Sequence, residues 1–98
     1  MMFGLPDTTL QAIRKTLASC SGLEKSVIYG SRAMGTHRPG SDIDLVLVGD
    51  VSDAELNRLL IALDDLNTPY LFDVVREQDI DNDALRQHIE QVGKRFDK

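Results

Sequence analysis

The chain has 98 residues, of which 42% are hydrophobic and 28% are charged, and its formal net charge is −5. This composition is typical of one small globular domain, so we expect residues 1–98 to fold as a single domain. The acidic balance argues against binding to a long nucleic acid, which requires a basic face. It does not exclude a nucleotide, because a bound metal ion can supply the positive charge locally.

The single cysteine, Cys20, cannot form an internal disulfide, which fits a reducing compartment. No stretch resembles a signal peptide or reaches the length of a membrane span. We therefore expect a cytoplasmic protein that does not bind membranes. Because a core of this size is small, packing in a homo-oligomer or hetero-oligomer is a natural way to gain stability.

The hydrophobic pattern predicts helices alternating with strands, which indicates an α/β fold with helices packed against a small sheet. The predicted elements are, in chain order, a helix from Pro6-Asp7-Thr8 to Ser21-Gly22, a strand over 25–29, about one helical turn over 32–35, a strand over 42–48, a helix from Ser52 to Asn67-Thr68-Pro69, a strand over 70–75 and a helix entered through 79–83. The apolar stripes of the three longer helices are predicted to be, in turn, Leu10, Ile13, Leu17 and Cys20; Leu56, Leu59, Leu60 and Leu63; and Leu85, Ile89, Val92 and Phe96.

Two aspartates, Asp42 and Asp44, begin the second predicted strand. Side chains two positions apart on a strand project from the same face, so both carboxylates are expected to lie side by side. Two adjacent negative charges on a strand suited to burial are costly unless something neutralises them. A divalent cation is the simplest candidate.

Asp73 lies within the third predicted strand, YLFDVV, which is otherwise apolar. If this strand pairs with the strand over 42–48, its carboxylate can lie beside Asp42 and Asp44. Three such carboxylates suit one or two Mg²⁺ ions, which can clamp both oxygens of a phosphoryl displacement. Gly30-Ser31, at the end of the first strand, is suited to bind phosphate because glycine permits close approach and the following turn offers free N–H groups.

The run Gly30-Ser31-Arg32-Ala33-x-Gly35, followed by Ser41-Asp42-Ile43-Asp44-Leu45, resembles the signature of the DNA polymerase beta-like nucleotidyltransferase superfamily. The short length of the chain is similar to that of proteins in the minimal nucleotidyltransferase (MNT) branch of this superfamily. The resemblance implies the palm fold with a small mixed sheet.

In that family, residues at the positions of Asp42 and Asp44 bind metal, and the residue at the position of Asp73 completes the site and helps to activate the attacking hydroxyl. The resemblance thus implies that Gly30 and Ser31 hold the nucleotide triphosphate. Arg32 is a further candidate for phosphate contact, although an arginine here is more simply read as a surface loop residue.

The resemblance also implies a function. A Mg²⁺-dependent nucleotidyltransferase would transfer an NMP from an NTP to a hydroxyl. ATP is the expected NTP, so AMP is the expected group transferred. MNT proteins commonly pair with a HEPN-domain toxin, so the chain is expected to act as a type VII-like antitoxin that transfers AMP onto a toxin tyrosine.

Two alternatives remain open at this point. The chain could instead neutralise a HEPN partner by docking alone, with a vestigial or regulatory metal site, although three intact aspartates weigh against decay. Transfer to a small molecule, as in aminoglycoside-modifying relatives, is disfavoured because no acceptor-binding domain is present. His37 and His88 have no metal-ligand partner at a recognisable spacing and are expected to be exposed polar residues.

Overall fold

The helices and strands of the computed structural model, which describes residues 2–98, follow the predicted order. They are α1 (Asp7–Ala18), β1 (Leu23–Tyr29), α2 (Gly30–Met34), β2 (Ile43–Gly49), α3 (Asp53–Asp64), β3 (Phe72–Arg76), a 3-10 turn (Glu77–Asp79), α4 (Asp83–Val92) and β4 (Lys94–Arg95). No helix in this described range has both the length and the apolar character needed to cross a membrane. The short strand β4 and the 3-10 turn were not predicted.

The four strands form one mixed sheet in the order β3-β2-β1-β4. The neighbours β1 and β2 are antiparallel, as are β1 and β4, whereas β2 and β3 are parallel. Parallel neighbours need a crossover connection, and α3 supplies it between β2 and β3. The predicted α/β class with a small mixed sheet is therefore confirmed.

The side chains of β2 alternate between two apolar layers. Ile43, Leu45 and Leu47 belong to the larger core, which also holds the buried stripe of α1 and the buried leucines of α3. Val46 faces the opposite way and packs with residues of α4 in a second, smaller cluster. Because alternation has a period of two, Asp44 must share the α4 side with Val46.

Helix α3 begins as the sequence predicts but exposes part of its apolar face. The Ser52 hydroxyl accepts a hydrogen bond from the Glu55 backbone N–H at 3.1 Å, which is the N-cap interaction expected of a capping box. Leu59 and Leu63 are buried, whereas Leu60, predicted to face the core, is exposed. The prediction for Leu60 was wrong because α1 and the sheet contact only the stripe through Leu59 and Leu63.

The C-terminal segment departs from the predicted helix. Helix α4 ends at Val92, and the extended Gly93 turns the chain into β4, which pairs with β1. Phe96, predicted to continue the α4 stripe, is fully buried in the larger core on the opposite side of the sheet. Hydrogen bonds favour this path over another helical turn, since the Phe96 N–H donates to the Ser26 carbonyl at 2.9 Å.

Phe96 also closes the core against the N-terminal segment. Its ring centroid lies 5.7 Å from that of Phe3, and its carbonyl accepts a hydrogen bond from the Arg14 guanidinium at 2.8 Å. The Phe96 side chain therefore completes the larger core.

We predict that Phe96→Ala lowers the free energy of unfolding by about 3–5 kcal/mol, because it leaves a cavity in the larger core. Urea unfolding followed by circular dichroism measures the change. The control Met34→Ala alters an exposed side chain and should change the free energy by less than about 0.5 kcal/mol. An equally small effect of Phe96→Ala would contradict the burial of this ring.

Candidate active site

The three aspartates singled out in the sequence lie at one end of the sheet. In the strand register Asp44 is flanked by Tyr29 on β1 and by Asp73 on β3. Asp42 precedes β2 and is exposed, as is Asp73, while Asp44 is half-buried. The predicted pairing of the two aspartate-bearing segments is therefore observed, with Asp44 at the centre.

The electrostatics of Asp44 reflect this placement. Burial raises the pKa of its carboxyl above the usual range, and the negative charges of Asp73 and Asp42 raise it further, whereas His88 has a smaller opposing effect. No Lys or Arg in residues 2–98 forms an ion pair with any of the three aspartates. The ionised cluster thus lacks a Lys or Arg counter-charge, which is the situation that a bound cation relieves.

The chemistry of this donor set fits Mg²⁺, but its geometry is open. Carboxylate oxygens are the hard ligands that Mg²⁺ prefers, and substrate phosphates and waters commonly fill its remaining positions. Over the described range 2–98, no three His, Cys, Asp or Glu side chains are gathered closely enough to hold one ion. Mutual repulsion keeps uncompensated carboxylates apart, so side-chain rotation would have to accompany metal binding.

Gly30 brings the backbone of the β1–α2 junction against Asp44. Its φ of 71° lies in the left-handed region, and a Cβ at this position would collide with Oδ2 of Asp44. Both observations require glycine. Ser31 follows in the first turn of α2 and is half-buried. The predicted phosphate-binding pair therefore adjoins the predicted metal-binding carboxylate.

Arg32 is not the surface residue that its position suggested. It is 2% exposed, and its guanidinium donates four hydrogen bonds to the backbone carbonyls of Phe3, Pro39 and Ser41. It also lies 4.8 Å from the ring centroid of Tyr70. Because Ser41 directly precedes Asp42, the guanidinium fixes the loop that carries the first aspartate.

Two residues that the sequence analysis did not assign to the site lie beside Asp44. The rings of Tyr29 and His88 make an edge-to-face contact with centroids 6.2 Å apart. Burial, together with the charges of Asp73 and Asp44, raises the pKa of Tyr29 to about 12, so its phenol stays protonated at neutral pH. His88 is half-buried, so the expectation that it is an exposed polar residue was wrong.

Signals for both residues were present in the sequence. Tyr29 ends the first strand directly before Gly30, and an antiparallel hairpin places that position opposite the head of the second strand. His88 lies three residues after Leu85 and four before Val92, on the apolar stripe of α4. Neither signal identifies the neighbour without the tertiary arrangement.

A protein-family model described as "Polymerase beta, Nucleotidyltransferase" matches residues 11–96. Among solved structures, the chain is similar to a toxin-antitoxin crystallised with AMP-PNP, with 22% identity and a TM-score of 0.72 over 89% of this chain and 71% of that one. It is also similar to a tri-AMPylated Shewanella oneidensis HEPN toxin in complex with MNT antitoxin, with 18% identity and a TM-score of 0.66 over 91% and 69%.

A third similar structure is a mutant of the toxin-antitoxin MntA-HpeT, with 20% identity and a TM-score of 0.71 over 89% of this chain and 71% of that one. No curated protein matches the sequence. At these identities the structural similarities establish a shared fold.

We predict that Asp44→Asn raises the melting temperature by a few degrees at pH 7. A raised pKa in the folded state means that ionised Asp44 opposes folding, and this cost develops as the pH rises from the ordinary aspartate pKa through the raised one. The gain, measured by differential scanning calorimetry, should shrink as the pH falls towards about 3.9. The exposed control Asp81→Asn should leave the melting temperature unchanged, and destabilisation by Asp44→Asn would refute the prediction.

We predict that Arg32→Lys lowers the free energy of unfolding by about 1–3 kcal/mol, because an ammonium cannot reproduce the guanidinium's branched hydrogen bonding. Urea unfolding measures the loss. Arg38→Lys, at an exposed arginine of the same loop, is the matched control and should be close to neutral. Equal stability of the two variants would show that Arg32 does not fix the loop.

Proposed function

The chain belongs to the polymerase beta nucleotidyltransferase family, and from this premise we propose that it transfers AMP from ATP to a tyrosine hydroxyl of a HEPN-domain partner, and so acts as an antitoxin. The pairing of Asp44 with Asp73, the contact of Asp44 with Gly30 and the position of Asp42 two residues before Asp44 carry the proposal. The similar structures support the choice of nucleotide and partner, since they include a toxin-antitoxin with AMP-PNP and a tri-AMPylated HEPN toxin with its MNT antitoxin. We assign the reaction to the cytoplasm, where ATP is available and Cys20 stays reduced.

We assign the triphosphate to Gly30 and Ser31, and the metal to Asp42, Asp44 and Asp73. Gly30 has no side chain and lies directly against the Asp44 carboxylate, so a triphosphate held by this turn would lie next to the proposed metal ligands. When bound, Mg²⁺ would neutralise the negative charge of the phosphates and carboxylates and hold the phosphates in place. Arg32 has no part in nucleotide binding in this scheme and instead positions the loop before Asp42.

The transfer is a displacement at the α-phosphorus of ATP. The tyrosine oxygen forms a bond to that phosphorus while the bond from phosphorus to the pyrophosphate oxygen breaks, and pyrophosphate leaves with the electron pair. Asp73, exposed beside Asp44, accepts the proton of the tyrosine hydroxyl. The contribution of the other residues is positioning and charge neutralisation, as expected for phosphoryl chemistry.

A second candidate function is neutralisation of the HEPN partner by docking alone. The observation that favours it is the open arrangement of the three carboxylates, which are not gathered as a metal-binding group in residues 2–98. Under this alternative, changes to the carboxylates would leave neutralisation intact.

We predict that Asp42→Asn lowers the transfer of AMP by about 10²-fold or more, because it removes a charged ligand from the reacting phosphates. The assay combines Mg²⁺, α-labelled ATP and the product of the neighbouring gene, as the candidate HEPN partner, and measures label on that protein. Asp42 is exposed, so the fold should persist, which circular dichroism verifies.

The matched control is Asp81→Asn, which makes the same change at an exposed position outside the site. It should transfer AMP at the wild-type rate. Wild-type transfer by Asp42→Asn would overturn the assigned site. Absence of label with the wild-type chain, together with continued neutralisation by Asp42→Asn, would establish the docking function instead.

A further inference from the structure

An open groove of about 590 Å³ begins at the aspartate cluster and runs between α3, the connecting segment 65–71 and the start of β3. Asp42 and Asp73 line it at the active-site end. Its apolar wall includes Leu60 and Ile61 of α3 and Leu71 before β3. We call this surface the acceptor groove.

The apolar wall of the acceptor groove is unusually open to solvent. Leu71 is 72% exposed and Ile61 is 64% exposed, and with Leu60 they make three of the five exposed large hydrophobic residues within residues 2–98. Single exposed apolar side chains are common, but a contiguous group marks an interaction surface. These three side chains contribute little to the core, since the buried face of α3 is formed by Leu59 and Leu63.

The strand order determines which side of the site the groove serves. β1 brings Gly30 to one side of Asp44, and β3 places Asp73 on the other. In an in-line displacement the attacking oxygen and the leaving pyrophosphate lie on opposite sides of the α-phosphorus. With the triphosphate at Gly30 and Ser31, the acceptor must enter from the Asp73 side, where the groove lies.

The charge at the outer end of the groove indicates the chemistry of its occupant. Asp64 lines the groove in the last turn of α3, Asp65 caps the same helix, and no basic residue occupies that turn. Negative charge at a helix C-terminus is unfavourable, because the helix dipole is itself negative there. These carboxylates do not stabilise the helix. They would, however, attract a basic group of a partner.

We propose that the acceptor groove docks a segment of the HEPN partner in which large apolar side chains accompany a lysine or arginine. The apolar side chains cover Leu60, Ile61 and Leu71, and the basic side chain pairs with Asp64. This docking directs the acceptor tyrosine along the groove to Asp73. The proposal rests on the proposed function for its chemistry, but it predicts a binding surface that can be tested without catalysis.

The test uses Ile61→Glu and Leu71→Glu, two substitutions at exposed side chains that should leave the fold intact. Met2→Glu is the matched control, because it makes the same kind of change at a 51% exposed apolar residue that does not line the groove. Steady-state labelling gives KM for the HEPN protein and KM for ATP separately, and calorimetry gives the dissociation constant of the complex. Circular dichroism verifies folding.

We expect each groove variant to raise KM for the HEPN protein, and the dissociation constant, by about tenfold or more, as expected when a charge replaces an apolar anchor. KM for ATP should stay at the wild-type value, and Met2→Glu should match the wild-type chain throughout. Asp64→Asn should weaken binding at low salt and show a smaller salt dependence than the wild-type chain.

Three outcomes would overturn the proposal. Unchanged KM and dissociation constant for the HEPN protein would show that the acceptor docks elsewhere. A rise in KM for ATP alone would assign the groove to the nucleotide. An equal effect of Met2→Glu would show that added negative charge weakens binding wherever it is placed. If the wild-type chain binds the HEPN protein without labelling it, the proposed function is refuted. The dissociation constants of the variants then show whether the groove binds the HEPN protein.

Discussion

The register between β1, β2 and β3 is the constraint on which the site depends. It places Asp44 between the end of β1 and Asp73 of β3, so that backbone hydrogen bonding of the sheet holds groups that would otherwise repel one another. Because side chains alternate along a strand, a slip of one residue would send Asp44 into the larger core and expose Ile43 or Leu45. Core packing and the site are therefore specified by the same register.

The protein maintains this site at the expense of stability. Asp44 is half-buried near two other carboxylates and has no Lys or Arg partner in the described chain, which raises its pKa. Arg32 binds the loop before Asp42 to the N-terminal segment. A buried charge is tolerated here because carbonyl oxygens satisfy the guanidinium. The proposed metal site accounts for a cost at Asp44 that packing alone does not explain.

The two sides of the aspartate cluster differ in a way that suits a transfer reaction. On one side the backbone of Gly30 lies so close to the Asp44 carboxylate that no side chain fits between them. On the other side an open, apolar groove with an acidic end leads away from Asp73. A small, highly charged donor and a large protein acceptor have different requirements, and the sheet keeps the two surfaces apart. The proposed docking would give exposed Ile61 and Leu71 a role outside the core.

Local patterns in the sequence by themselves determined the order of the main helices and strands, the cap at Ser52 and the choice of Asp42, Asp44 and Asp73 as candidates, because periodicity, capping and strand alternation act over a few residues. The tertiary structure decided what depends on distant neighbours. The spacing of Phe96 fits a helix, but pairing of β4 with β1 and the space beside Phe3 make it a core residue. Likewise, only the packed fold buries Arg32 under backbone carbonyls, brings His88 to Tyr29 and leaves Leu60 in an open groove. Whether a side chain is buried depends on neighbours that are distant in the sequence, and a local sequence pattern does not specify those neighbours.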